Sequence, residues 1–541
     1  METDRFGDEW DAVADLVVVG SGAAASAAAA TAAAAGAHVI VLEKTDWVGG
    51  TTAKSGGVFW VPDNPHMRSA GVADPRSGAL RYMARTAFPT LYRRDHPTLG
   101  LPVAQFELIA SFYDNGHVAI SHLMSIGALD MIPVDYPDYH SDLVEDEVDG
   151  GRVLAPRLPD GWRRGVDPTA GQILVDGLLA SAQSHGAEVR LGHRVVHLAR
   201  DDEGQVIGVE ARTGTRTVLI GARRGVVFGT GGFIHDPELC LAHLRGPVLG
   251  SAAAEGATGD FVRIGIEAGA KLGNMPNAWW DQVVVELAIT VRSTIKDISW
   301  PFGDSMLMVN KHGVRVVNEK ATYNDRAPVH FAWDPNRCEY PNLVLLWIFD
   351  QAVLDSTDPS RFRWPIPAPG EPLPKFIASA DDLPGLAAEL RRRLASIAEH
   401  TGGADLVDEF DERLAATVRR FNEMAAKGVD DDFHRGESRI EQVWAGEPAR
   451  GLPSACLAPL SPTGPYYGII VGPGALDTNG GPVIDAHARV IAIDGTPIPG
   501  LYGAGNCIAA PSGRAYWGAG GTVGPAMVFG YVAARHALAA T

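Results

Sequence analysis

A phenol and a run of glycines carry the most suggestive chemistry of this 541-residue chain. In Arg514-Ala515-Tyr516-Trp517-Gly518-Ala519-Gly520-Gly521-Thr522-Val523-Gly524-Pro525-Ala526, a tyrosine precedes glycines that open into an apolar, helix-like segment from Met527 to Ala540. Glycine lets backbone come close to a ligand, and a helix start offers unpaired N–H groups and partial positive charge. A phenol beside such amides stabilises negative charge developing on a carbonyl oxygen.

Such groups need a frame, and part of it is legible near the N-terminus. Asp15-Leu16-Val17-Val18-Val19 reads as a buried strand, Gly20-Ser21-Gly22 as a turn, and the alanines to about Ala35 as a helix that Gly36 stops. His38-Val39-Ile40-Val41-Leu42 is a second buried strand and ends in Glu43. A G-x-G-x-x-A turn in a βαβ unit, with an acid about 20 residues on, is the dinucleotide fingerprint. Gly20 and Gly22 allow the tight turn, Ala23 and Ala24 open the helix whose N-terminus faces the pyrophosphate, and Glu43 holds ribose hydroxyls. Gly49-Gly50-Thr51-Thr52-Ala53-Lys54-Ser55-Gly56-Gly57 adds a second glycine and hydroxyl cluster, unlike NAD dehydrogenases.

Length points to two or more domains. A net charge of −19 with no basic run argues against nucleic acid as a partner. Four scattered cysteines, Cys240, Cys338, Cys456 and Cys507, suit free thiols in a reducing compartment and give no zinc pattern, so no metal is expected. The polar, acidic start has no basic n-region, and no stretch reaches the roughly 20 apolar residues of a membrane helix. A cytoplasmic protein is expected, with peripheral contact to an inner membrane left open. Between about Trp279 and Leu460 the character changes: strand-like residues 342–349, a proline-rich linker at 365–374 and amphipathic stretches at 382–400 and 408–426 suggest an inserted domain. Asp430-Asp431-Asp432 reads as a solvated loop.

The order of these motifs resembles the FAD-binding succinate dehydrogenase/fumarate reductase flavoprotein superfamily. His193-Arg194-Val195-Val196 is similar to its strand near the adenine, Val226-Val227-Phe228-Gly229-Thr230-Gly231-Gly232-Phe233 to its "LATGGF" turn, and Gly256-Ala257-Thr258-Gly259-Asp260 to its "GxTGDG". Gly480-Gly481-Pro482-Val483 and Ile498-Pro499-Gly500-Leu501-Tyr502-Gly503-Ala504-Gly505-Asn506 resemble its closing "GG…IPGLYAAGN". The resemblance implies an α/β fold: a Rossmann-like FAD domain built from residues 1–278 and 460–541, with an inserted α+β catalytic (capping) domain at 279–459. It also implies FAD contacts at Lys44, Gly49, Gly50, Thr51, Thr52, Ser55, Gly56, Gly57, Val195, Thr230, Gly231, Asp260, Gly505, Asn506, Gly521, Thr522 and Val523. Members with covalent flavin carry a histidine after the GG turn; residues 51–57 contain none, which implies non-covalent FAD.

Within the superfamily, Arg315-Val316-Val317-Asn318-Glu319-Lys320-Ala321-Thr322-Tyr323-Asn324-Asp325 chooses the branch. Fumarate reductases carry "RFVNExxxRD", and Tyr323 stands at that second arginine. The other cations that read a dicarboxylate are missing too, and a phenol does not replace a charge-assisted pair. Tyr323, and the C-terminal run from Tyr516 to Tyr531, resemble the "NExxxYND" and "YPGPGGTIGPAxxFGY" of the 3-ketosteroid Δ1-dehydrogenases, with Trp517 and Ala519 in place of two prolines. That family's third tyrosine falls at Tyr139, with Tyr136 the other candidate.

The resemblance implies a small apolar ketone as substrate. The Tyr516 hydroxyl and the Gly520 N–H would donate to the ketone oxygen, and Tyr323, as phenolate or through Tyr139, would remove the α-proton while the β-hydrogen leaves as hydride to flavin. A 3-ketosteroid is the leading substrate. A smaller ring such as cyclohexanone, a Δ4-dehydrogenase, a flavin-dependent reductase and a non-catalytic flavoprotein stand as alternatives. A quinone or other acceptor is expected, since no nicotinamide site is evident. Lys54 and Arg514 read as exposed, and of the aromatics Phe59, Trp60, Trp279, Trp280 and Trp517 only Trp517 lies in a site motif.

Overall fold

Val17 to Val19 have no room for water on either side of the sheet, and the reason is visible in a computed structural model that describes residues 10–294, 298–357, 362–448 and 451–540. Their strand, Ala12–Val19, lies between two parallel neighbours, Val39–Leu42 and Arg216–Phe228, with Leu16 opposite Val39 and Val17 opposite Val226. A strand in the middle of a parallel sheet is buried on both faces, hence the unbroken apolar run. The sheet continues through Pro497–Gly503 to Arg489–Ile491 on one side and to Glu188–Arg190 on the other, while Arg194–Arg200 and Val206–Thr213 form an antiparallel flap on Arg216–Phe228.

The alanines have a packing reason. Helix Ala23–Ala34 is buried along nearly its whole length, and the helices Ala170–Ser184 and Val523–Ala539 lie against it. A Cβ at Gly530 would run into the Ala24 carbonyl, so small residues on both helices set the crossing. A separate three-stranded sheet joins Phe59–Trp60, Val153–Pro156 and Met131–Pro133. These elements belong to one compact unit, drawn from the chain up to Leu244, from Ala253–Ala278 and from Asp477 onwards.

The second unit comprises Arg245–Ala252 and Trp279–Leu476. Its mixed sheet is centred on Tyr466–Thr478, which pairs antiparallel with Leu345–Asp350 and Ala378–Ala380 and parallel with Gly250–Ser251. One face is covered by Leu386, Leu390 and Leu394 of helix Leu383–Ser396 and by Leu414, Val418 and Phe421 of helix Phe410–Lys427. The return to the first unit therefore comes at Asp477, later than position 460, because the long strand belongs to this sheet. The early excursion at Arg245–Ala252 has no sequence signature, since a two-residue strand shows no periodicity. Among the described residues no helix is long and apolar enough to cross a membrane.

Candidate active site

Gly20 leaves its strand with φ of 100°, and a Cβ there would collide with the Gly229 backbone. Gly22 caps helix Ala23–Ala34, and the Ala23 amide donates to the Thr52 hydroxyl at 3.1 Å. Thr52 lies in the short helix Gly50–Lys54, capped by Gly49, so one hydroxyl joins the two helix starts. The Ser21 hydroxyl donates to Glu43 at 2.6 Å and accepts from the Gly49 amide at 2.9 Å. The other Glu43 oxygen accepts from the Thr45 amide and hydroxyl, both at 2.9 Å. Glu43 is thus fixed at the end of the second strand with acceptor capacity to spare. Thr51 accepts from the distant Ala254 amide, whereas Ser55 donates to the Thr52 carbonyl and accepts from Gly57 and so serves the turn's own backbone. Gly56 has open space where a side chain would stand.

Across the central strand, Thr230 and Gly231 follow Arg216–Phe228, and the Thr230 hydroxyl is buried with no hydrogen-bond partner. Gly505 packs on Ala24, and the adjacent Asn506 amide donates to Asp477 at 3.3 Å. The Gly232 amide donates to the same Asp477 oxygen at 2.8 Å, and burial pushes this carboxyl up to about 6. Asp477, which ties the two turns together, escaped sequence reasoning because nothing distinguishes it within a polar Asp-Thr-Asn run. Lys44 and Asp260 spend their charges on each other at 2.8 Å, and Arg194 adds a second pair at 2.7 Å. Burial opposes ionisation of Asp260, but the two cations hold its carboxyl below the usual range. Val195 is buried in the strand Arg194–Arg200 beside them.

The C-terminal helix begins at Val523, earlier than Met527, with Thr522 as its N-cap. The Val523 and Gly524 amides donate to the Gly520 carbonyl at 3.1 and 3.2 Å, and Gly521 donates to Gly518 at 2.9 Å. The Gly520 N–H donates to no protein group among the described residues. Gly520 itself has φ of 82°, and a Cβ there would be driven into Val58 and Phe59. Four residues before this amide the Tyr516 ring stacks on Tyr139, centroids 5.5 Å apart at 20°, and both are buried. Tyr136 is only half-buried. Trp517 turns the other way: fully buried, it stacks on Phe112 at 5.6 Å and donates its indole N–H to Met83 at 3.3 Å. It is a core anchor rather than a pocket wall, and it fixes a loop that lacks the two prolines of the resembled motif.

In the second unit Tyr323 is buried and opens the one-turn helix Tyr323–Arg326. Ion pairs hold the segment before it. Arg315 bonds Glu319 with two nitrogens, both at 2.8 Å, and Asp430 at 3.0 and 2.7 Å; Arg435 adds 3.3 Å to Glu319. Burial alone would raise the Glu319 carboxyl, but Arg315 and Arg435 bring it below its usual range. Asp430 is therefore no solvated loop residue; Arg315 takes it inside. After Tyr323, Asn324 accepts from the Trp280 amide at 3.1 Å, and Arg326 donates to Gln282 at 2.7 Å. Gln282 meets His330 at 2.8 Å, and burial lowers that imidazole to about 4, so it is neutral at physiological pH.

Residues 15–523 match the family described as FAD binding domain. Over 96% of this chain and 92% of its own length, a 4-oxocyclohexanecarboxylate 2-dehydrogenase of Sinomonas cyclohexanicum is 33% identical. A 3-oxosteroid 1-dehydrogenase of Mycobacterium tuberculosis is 30% identical over 96% of this chain and 98% of its own. The crystal structure of the 3-ketosteroid Δ1-dehydrogenase of Sterolibacterium denitrificans, in complex with 1,4-androstadiene-3,17-dione, is similar with a TM-score of 0.81 at 26% identity, covering 98% of this chain and 100% of that one. The cradle fits FAD: the helix start at Gly22, an orphaned Thr230 hydroxyl and Glu43 at the strand end are the donors and acceptors that a pyrophosphate and a ribose need.

Proposed function

We propose a reaction that starts from the family: this chain belongs to the FAD-binding domain family, which covers almost all of it, and is an FAD-dependent oxidoreductase. The reaction is introduction of a double bond next to the carbonyl of a cyclic ketone, with 3-ketosteroids as the leading substrates. The observation that carries it is the Tyr516 ring stacked on Tyr139, four residues before the unspent Gly520 amide.

The N-terminal ends of helices Ala23–Ala34 and Val523–Ala539, with Glu43, Thr52, Thr230, Gly231, Gly505 and Asn506, would hold FAD non-covalently. When bound, FAD supplies the acceptor for a hydride. Tyr516 and the Gly520 N–H bind the ketone oxygen and carry the negative charge that appears there as the α-proton leaves; one such donor is typically worth about 10²–10³ in rate. Stacking on Tyr139 fixes the plane of the Tyr516 ring. Tyr323 takes the α-proton. A free phenol titrates near about 10, so the role requires neighbours that favour its ionised form. A quinone-like acceptor completes the turnover.

A second substrate class is a single six-membered ring ketone bearing a carboxylate, favoured by the Sinomonas relative and by exposed Arg514 two residues before Tyr516. Anaerobic mixing of the yellow protein with a 3-keto-4-ene steroid, a saturated 3-ketosteroid and 4-oxocyclohexanecarboxylate separates these. Loss of flavin absorbance with steroids and a 1-ene product is the expected result. Bleaching by the keto acid alone would keep the chemistry and change the substrate, and no bleaching by any ketone with FAD bound would overturn the proposal.

A further inference from the structure

Beneath the tyrosine pair lies a buried charge cluster to which the reaction gives no role. The Arg152 guanidinium is essentially inaccessible, as are the three carboxylates around it. It donates to both oxygens of Asp74 at 2.8 Å, to Asp138 at 2.5 Å and to Asp146 at 2.9 Å. The second Asp138 oxygen accepts the Trp60 indole N–H at 2.7 Å. One cation facing three acids costs desolvation free energy that a well-packed apolar core would avoid, so stability alone is a poor reason for it.

The geometry shows what it holds. Asp138 immediately precedes Tyr139, and its carboxylate is gripped from two sides. The Arg152 guanidinium also lies over the rings of Trp60 at 5.6 Å and Tyr82 at 5.4 Å. Tyr82, on helix Arg76–Ala87, donates its hydroxyl to the Trp517 carbonyl at 2.5 Å and accepts the His140 amide at 3.3 Å. The Tyr139 amide donates to that same carbonyl at 3.2 Å. A side chain at Gly518 would strike the Trp60 indole, so the loop can settle against it only as backbone. The Tyr139 amide and the Tyr82 hydroxyl therefore connect Tyr139 and His140 to the residue next to Tyr516, while the Asp138 carboxylate anchors the preceding residue to Arg152 and to Trp60, whose ring lies 5.4 Å from that of Trp517.

We infer that Tyr82 and Asp138 are positioning residues that latch the Tyr139 loop onto Trp517 and so align Tyr139 and Tyr516 for the ketone. The latch rests on the reaction proposed above for its kinetic consequence, but not for its mechanical one. Both act through Tyr139 and Tyr516, and a displacement of about 1 Å at a reacting group can cost roughly 10²-fold in rate.

The test compares Tyr82→Phe, Asp138→Asn and, as a control, Tyr113→Phe. The last removes another tyrosine hydroxyl from the same cluster, the one donated to the Asp74 carbonyl at 2.5 Å and not to the Tyr139 loop or Trp517. In backbone hydrogen exchange, Tyr82→Phe should speed exchange in residues 136–142 and 515–521 together, and Tyr113→Phe in neither. In ketone turnover, Tyr82→Phe should lower kcat tenfold to a hundredfold with KM changed less than about threefold and flavin content intact, as expected for misplacement rather than lost binding. Should Tyr82→Phe fail to fold, Asp138→Asn is read on the same scales. Unchanged exchange in both loops overturns the latch whether or not the wild type turns over a ketone. Coupled loosening without turnover by the wild type sinks the proposed reaction and keeps the latch.

Discussion

Tyr516, Tyr323 and Asp146 separate by what their loss removes. Tyr516→Phe deletes a donor to the developing oxyanion, so the rate of flavin reduction by ketone should fall about 10²–10³-fold with flavin content unchanged; a fall below threefold in stopped-flow absorbance would exclude the role. Tyr323→Phe should abolish turnover while FAD stays bound, and retained turnover would exclude it as the base. Asp146 acts through stability instead. Burial, with Asp138 beside it and only partly offset by Arg152, pushes its carboxyl up to about 7, and one of its oxygens has no hydrogen-bond partner. The native state therefore keeps a proton that an unfolded aspartate releases near about 4, so this contribution to stability is full below about pH 4 and is lost as pH rises through 7. Asp146→Asn should flatten the fall in Tm between pH 5 and 8, leaving a smaller slope from Asp477; equal slopes in both proteins would refute it. The charges that matter here were unreadable in the sequence. Asp74, Asp138, Asp146 and Arg152 look like surface residues until folding brings them together, and Asp430 was hidden in a run of three aspartates.

Elements tell a different story about legibility. The strand–turn–helix–strand unit was readable because its apolar runs, glycines and alanines all obey one constraint, backbone close to backbone. The C-terminal helix starts at Val523 rather than Met527, although Gly524 and Pro525 look like breakers; proline is tolerated in a first turn, and Gly524 is required where a Cβ would meet the Trp60 carbonyl. The crossing at Gly530 gives a quantitative check. Alanine inside a helix gains about 1 kcal/mol over glycine, whereas overpacking typically costs about 1–3 kcal/mol. Contact with the Ala24 carbonyl should win, so Gly530→Ala should lower Tm and FAD occupancy; a raised Tm would show that the helices can part. In the second unit, Asp430→Ala leaves Arg315 short of a buried partner and should cost about 3–5 kcal/mol in denaturant unfolding.

Over the whole molecule, neither unit is continuous in sequence. The first is assembled from three lengths of chain and the second from two, so many native contacts join residues hundreds of positions apart. Contacts of that kind slow folding, and refolding of this chain should be slower than that of a helical protein of equal size. The alanine helix sharpens the point. Its covering partner, Val523–Ala539, is made roughly 490 residues later, and synthesis at about 5–20 residues per second leaves that face bare for tens of seconds. On the ribosome the N-terminal βαβ unit is then a sticky, half-built shelf that cannot retain a nucleotide. Nascent chains stalled near residue 500 should be held by chaperones and carry no FAD, which makes emergence of the helix Val523–Ala539, rather than emergence of the fingerprint, the moment at which this protein turns yellow.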